Sequence, residues 1–182
     1  MNVVFLNENT LGHTSYLPRF AAELERRPEL GIRPLVLDAL PLPESLRRLG
    51  DTSIRGLRKV GLDFHITRWR IAISRHLRQQ LDALRTREPV DALLINTQSA
   101  GLELDGVAGI PVCVGLDATF RQLADSPWFA PNTASRWLRP ITLPALLRRE
   151  RSLFRRTDRF LPWSERAASS LRSDYGIGPD RI

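Results

Sequence analysis

Four stretches of this sequence set hydrogen-bonding and titratable side chains directly after a short apolar run. Asn7, Glu8, Asn9, Thr10, Gly12 and His13 follow the first run. Asn96, Thr97, Gln98 and Ser99 follow a second, Asp117, Thr119, Arg121 and Gln122 a third, and Ser164 and Glu165 a fourth. Carboxylates and a histidine beside hydroxyls and amides can orient a substrate hydroxyl, polarise it or accept its proton. Such chemistry needs the four stretches gathered at one end of one sheet. Polar loops follow strands in every fold, so the pattern alone separates a crevice only weakly from ordinary loops. His13 reads equally as a helix-start residue and as a crevice group.

The elements that would gather them are legible. Five apolar runs read as strands buried on both faces: Val3–Leu6, Pro34–Leu37, Ala92–Ile95, Val112–Leu116 and Phe160–Trp163. They lack strict alternation, as expected of a parallel sheet covered by helices. Between them, Leu17, Phe20, Ala21 and Leu24 keep helical spacing and predict a helix over Ser15–Arg27. Ile66, Trp69, Ile73, Leu77, Leu81 and Leu84 make one stripe of a long helix over Ile66–Arg85. The alternation predicts a doubly wound, Rossmann-like α/β fold with right-handed crossovers. In such sheets ligands bind beyond the carboxyl ends of the strands, where the four polar stretches fall. Residues 39–65 read as a loop with a short helix. Residues 125–143, with Pro127, Pro131 and Pro140, read as a second irregular excursion.

Composition excludes several classes. The chain of 182 residues has 42% hydrophobic and 26% charged residues, ordinary for a globular fold. The N-terminus has no signal-peptide pattern, and no stretch approaches the ~20 apolar residues of a membrane span. One cysteine, Cys113, forbids an internal disulfide and suits a reducing, cytoplasmic setting. The first polar stretch has a single glycine, so neither a dinucleotide fingerprint nor a phosphate loop is present. No serine elbow occurs, and His13, His65 and His76 share no metal-ligand spacing. Helix-turn-helix, zinc-finger and RNA-recognition signatures are absent, so no nucleic-acid partner is expected.

The net charge of +7 is unevenly placed, with +6 of it in residues 121–182. Residues 136–159 hold eight arginines against Glu150 and Asp158, and Lys59 is the only lysine of the chain. Arginine preference fits codon usage in a GC-rich genome, but clustering does not follow from it. Trp128, Phe129 and Trp137 lie beside Arg136 and Arg139, and Arg148, Arg149, Arg155 and Arg156 follow on a helical pattern. Indoles among arginines suit an anionic membrane surface as a partner, and equally a core with solvated flanks. On that helical pattern Leu143, Leu146, Leu147, Leu153 and Phe154 form the apolar side, and Glu150 falls among them. A carboxylate there needs a partner, either a neighbouring arginine or a ligand.

VGLDATFRQL and the later RRERSLFRRTDRFLPWSERAASSLRSDYGIGPDRI carry a resemblance. Together with Gly12-His13 before the first helix, they resemble the N-terminal, acceptor-side half of GT-B glycosyltransferases, in particular the family 4-like group. The matching positions are Asp117-Ala118-Thr119 with Gln122, Trp163-Ser164, Ser170-Leu171 and Asp174-Tyr175-Gly176. Leu116 stands where many relatives have histidine, and Phe120 where this branch has proline. The resemblance implies one Rossmann-like domain over residues 1–182, with a C-terminal donor-binding domain supplied elsewhere. It implies no cofactor in this chain and a nucleotide-sugar donor for the complete enzyme. The acceptor would be a saccharide or lipid-linked. Asp117 and His13 would be the catalytic-side groups. Asn9, Gly12, Thr97, Gln98, Thr119, Gln122, Glu150 and Ser164 would line the acceptor side. Alone the chain is expected to be inactive. The rival expectations are a non-catalytic module that pairs with a partner chain, and a flavodoxin-like receiver or small-molecule binder.

Overall fold

The computed structural model describes residues 1–8, 13–52, 56–57, 62–104, 107, 109–124, 126–127 and 132–182, and the backbone alone of residues 13–15. The five apolar runs become strands β1 (Asn2–Asn7), β2 (Arg33–Asp38), β3 (Ala92–Asn96), β4 (Val112–Leu116) and β5 (Arg159–Pro162). All pair in parallel, in the order β2-β1-β3-β4-β5. This is the Rossmann-like α/β arrangement that the sequence predicts. The chain steps from β1 to β2 on one side, then returns to β3 on the other. That reversal puts the topological switch point at the carboxyl ends of β1 and β3, where a crevice is expected in open sheets of this kind.

The helices are α1 (His13–Glu25), α2 (Glu44–Asp51), α3 (His65–Arg85), α4 (Phe120–Leu123), α5 (Thr133–Thr142), α6 (Pro144–Arg156) and α7 (Glu165–Tyr175). Alternation along the strands divides the core. Val3 and Phe5 of β1 and Leu94 of β3 meet Leu17 and Leu24 of α1 on one face. Val4, Leu6, Leu93, Ile95 and Val114 meet Ile73, Leu77 and Leu81 of α3, Leu153 and Phe154 of α6 and Leu171 of α7 on the other. Leu161 and Trp163 turn toward the α1 side and remain 53% and 46% exposed. They border an open groove of about 320 Å³ with Tyr16, Phe20 and Leu94.

Three expectations shift at their boundaries. The first helix spans His13–Glu25 rather than Ser15–Arg27. The fifth strand is Arg159–Pro162 rather than Phe160–Trp163, although the Trp163 N–H still donates to the Leu116 carbonyl at 2.9 Å. The excursion over 125–143 is not wholly irregular, since its second half is α5. Asn132 and Ser135 form a reciprocal capping box there, which satisfies the first amides of the helix. Pro140 sits near its far end, where loss of one N–H ends little that was not already ending. Residues 125 and 128–131, with Trp128 and Phe129, lie outside the described residues.

The last helix follows its sequence signals closely. The Ser164 hydroxyl accepts from the Ala167 N–H at 3.1 Å and caps α7. Gly176 takes the left-handed conformation at φ 67°. Ile177 N–H donates to the Leu171 carbonyl and Gly176 N–H to the Arg172 carbonyl, so the left-handed glycine closes the helix with its last carbonyls satisfied.

Candidate functional site

The register of the sheet sets three polar side chains in a row at its carboxyl end. Asn7 lies opposite Asp38 on one side and Asn96 on the other. Asn7 Nδ2 donates to Asp38 Oδ1 at 2.7 Å, and Asn96 Nδ2 donates to Asn7 Oδ1 at 3.1 Å. Asn7 and Asn96 are buried, so the row closes the floor of the switch point without a stranded polar group.

One residue further, β1 and β3 exchange a charged contact. Thr97 Oγ1 donates to Glu8 Oε2 at 2.7 Å, both side chains being buried. Thr97 holds φ 67° and ψ 145°, backbone that is essentially glycine territory. Its N–H donates to Gly115 of β4 and its carbonyl accepts from Ala100, so the conformation is pinned from both sides. Such strain of about 1–3 kcal/mol persists only where surroundings over-determine it, often at ligand sites.

Arg70 of α3 reaches into this crevice. It donates to Ser99 Oγ and lies over the Phe120 ring at 4.6 Å. Burial pulls its guanidinium below the ordinary value, and the charges of Glu8, Glu150 and Asp117 oppose that pull. Carboxylates that follow β1 and β4, and one on α6, therefore act electrostatically on one cation. Asp117 is exposed at the end of β4, on the rim of the crevice.

Glu150 occupies a different place from the rim. It is fully buried on α6, where the sequence pattern sets it among leucines. Its Oε1 accepts from the Phe120 N–H at 2.7 Å and from Gln98 Nε2 at 3.3 Å; its Oε2 accepts from the Tyr175 hydroxyl. These hydrogen-bond donors are neutral; on its own helix Arg149 turns to Glu103 and Arg151 lies over the Tyr175 ring. Burial raises the Glu150 carboxyl to about 7, and the hydrogen bonds from Phe120, Tyr175 and Gln98 and the charge of Arg70 work against the rise. Burial also raises the Tyr175 hydroxyl, with the Glu150 charge adding to it. One carboxyl group thus ties α6, α7, the start of α4 and the 3-10 turn Gln98–Gly101 behind the crevice.

The other sequence candidates are placed as follows. Gln98 is buried and also donates to the Ala118 carbonyl at 2.7 Å, while its Oε1 has no partner among the described residues. Thr119 caps α4, its hydroxyl in contact with Ser170 at 2.8 Å. Gln122 closes that capping box and donates to the Arg166 carbonyl at 2.7 Å. Ser164 is the α7 cap. Asn9, Gly12 and the His13 side chain lie outside the described residues. The structure brings Thr97, Gln98 and Asp117 to one end of the sheet and ties Glu150 to Gln98 from behind. Arg70 and Tyr175 are the participants that the sequence reading missed. Arg70 carries the same signal as Glu150, a charge in phase with an apolar helical stripe.

Neither any protein-family model nor any curated protein matches the chain. Among the described residues, no helix is long and apolar enough to cross a membrane.

Proposed function

We propose that this chain is the acceptor-side domain of a GT-B glycosyltransferase that works with a separate donor-binding domain. The observation that carries the reading is the polar group at the switch point: strained Thr97 bonded to Glu8, Arg70 bonded to Ser99, and the Asp117 carboxylate exposed at the end of β4. A rim carboxylate over a floor of amides and hydroxyls suits the orientation of substrate hydroxyl groups. The chain's resemblance over VGLDATFRQL supports the same assignment of Asp117.

In the complete enzyme a nucleotide-sugar is the donor and a saccharide or lipid-linked alcohol is the acceptor. The acceptor oxygen forms the new bond to the anomeric carbon as that carbon's bond to the nucleotide phosphate breaks. Asp117 accepts the hydrogen bond of the attacking hydroxyl, holds it in line and takes up its proton as the new bond forms; the resemblance adds His13 to this catalytic side. Gln98 is set toward the acceptor, the resemblance assigns Asn9 and Gly12 to the same side, and Glu150 supports the Asp117–Phe120 turn from behind. Closure over the crevice excludes water. The single, half-buried thiol of Cys113 suits cytoplasmic work.

The exposed Leu161 of β5 and Trp163 just after it favour a second reading, a module that pairs with a partner chain without doing chemistry. One experiment separates the two. The 182-residue chain alone should neither transfer sugar nor hydrolyse nucleotide-sugars. Joined to a donor-binding domain, it should transfer, and Asp117→Asn should lower kcat roughly 100-fold. Robust turnover by the chain alone removes the two-domain reading. Full transfer by Asp117→Asn removes the role of Asp117.

A further inference from the structure

The structure sorts the basic segment of residues 136–159 into residues that are occupied and residues that are not. Arg149 is paired with Glu103, and Arg156 is turned back onto Ser152 of its own helix. Arg136, Arg148 and Arg155 are exposed and have no acidic partner among the described residues. Arg148 and Arg155 stand seven residues apart on α6 and so share one outer stripe, with Arg151 between them. On α5, Trp137 and Ile141 are 80% and 61% exposed. They are the two most exposed large apolar side chains among the described residues, and their i, i+4 spacing sets them side by side. Leaving an indole and an isoleucine in water is unfavourable, and nothing described in the molecule covers them.

We propose that α5 and the outer stripe of α6 dock this chain onto an anionic lipid bilayer, with Trp137 and Ile141 entering the headgroup boundary. Arg136, Arg148 and Arg155 then face the anionic headgroups. Charge complementarity chooses the partner class, since unpaired guanidinium groups gain most from a dense layer of phosphate. The aliphatic Ile141 chooses lipid over nucleic acid, because a base stacks on an indole but gains little from an exposed isoleucine. Trp137 supplies the amphipathic ring that interfaces favour. The position of α5 fits delivery of an acceptor held in the membrane. Its Arg139 and Thr142 line one small cavity with His65 and Thr67 at the start of α3, the end of the molecule where the crevice opens. The docking itself does not depend on the glycosyltransferase reading.

The test is flotation of the full 182-residue chain with vesicles of equimolar phosphatidylglycerol and phosphatidylcholine, against pure phosphatidylcholine. The unaltered chain should float with the anionic vesicles only, and added salt should release it. Changing Arg136, Arg148 and Arg155 together to Gln should weaken partitioning about 100-fold. Trp137→Ser with Ile141→Ser should weaken it about 10-fold at unchanged charge. Arg149→Gln is the internal control and should change binding less than twofold, its charge being engaged by Glu103. Circular dichroism confirms that each variant is folded. Quenching of tryptophan fluorescence by brominated acyl chains tests insertion on the unaltered chain, with no variant needed. Failure to float with anionic vesicles overturns the proposal. So does equal flotation of the Trp137/Ile141 variant, as does absence of quenching. Duplex DNA bound more tightly than vesicles, with no effect of the Trp137/Ile141 change, assigns the surface to nucleic acid instead.

Discussion

Glu150 Oε1 accepts the Phe120 N–H at 2.7 Å, so a buried carboxyl on α6 holds the first residue of α4, three positions past Asp117. The contact fixes the turn that carries the rim carboxylate, and it links that turn to pH. Burial raises the folded carboxyl to about 7 from an ordinary 4.5. The protonated form is therefore favoured in the fold. Its contribution is fully present below pH 4.5 and is lost as pH rises through 7. A shift of this size is worth on the order of 3 kcal/mol. Glu150→Gln keeps an acceptor for Phe120 and removes the titration. The stability of wild type relative to Glu150→Gln, from urea unfolding at pH 5 and pH 8, should fall by up to that amount. A pH-independent difference would show that the carboxyl stays ionised in the fold.

Thr97 separates strain from bonding. Thr97→Ala removes the donor to buried Glu8 but keeps a side chain at φ 67°, at a cost of about 1–3 kcal/mol. Thr97→Gly removes the same donor and relieves the backbone. The glycine variant should be the more stable of the two by about 1 kcal/mol, even after glycine's extra chain entropy. Chemical denaturation of both variants decides it, and a less stable glycine variant contradicts the strain.

Packing of α2 on α3 rests on a missing methyl group. A Cβ built at Gly50 would lie 2.3 Å from the Trp69 ring, closer than any real contact. Gly50→Ala should cost about 1–3 kcal/mol by overpacking, despite alanine's better helix propensity. Trp69→Leu should restore part of that loss in the double variant. Additive losses in the cycle would mean that the two residues do not meet.

Cys113 makes a chemical prediction. Burial pushes its thiol up to about 11. At pH 8 the native chain should react with a thiol reagent at least 10-fold more slowly than the same chain in denaturant, because the thiolate is the nucleophile. Equal rates would place Cys113 at the surface.

Much of this molecule is written locally. The apolar runs from Val3, Pro34, Ala92, Val112 and Phe160 announce strands buried on both faces, and helical spacing from Ile66 announces α3. Ser164 and Gly176 announce both ends of α7, because caps act within one turn of the chain. Glu150 stands out for the same reason: a carboxylate in phase with leucines is visible to anyone who draws the helix. The charged patch is visible as composition, but its division into paired Arg149 and unpaired Arg148 is not.

The rest is decided by juxtaposition across long stretches of chain. Asn7 meets Asn96, and Glu8 meets Thr97, each pair 89 residues apart, because β1 and β3 are neighbours in register. Arg70 enters the crevice because α3 crosses back over the sheet and carries it there, and Tyr175 finds Glu150 because α7 packs beside α6. α5 forms where prolines argue for a loop, since Asn132 and Ser135 close a cap whose stability outweighs the late Pro140. Periodicity and caps are short-range physics, so the five strands, α3 and the ends of α7 are legible along the chain. Which polar strand ends meet depends on strand order and register, which arise only when the chain has folded.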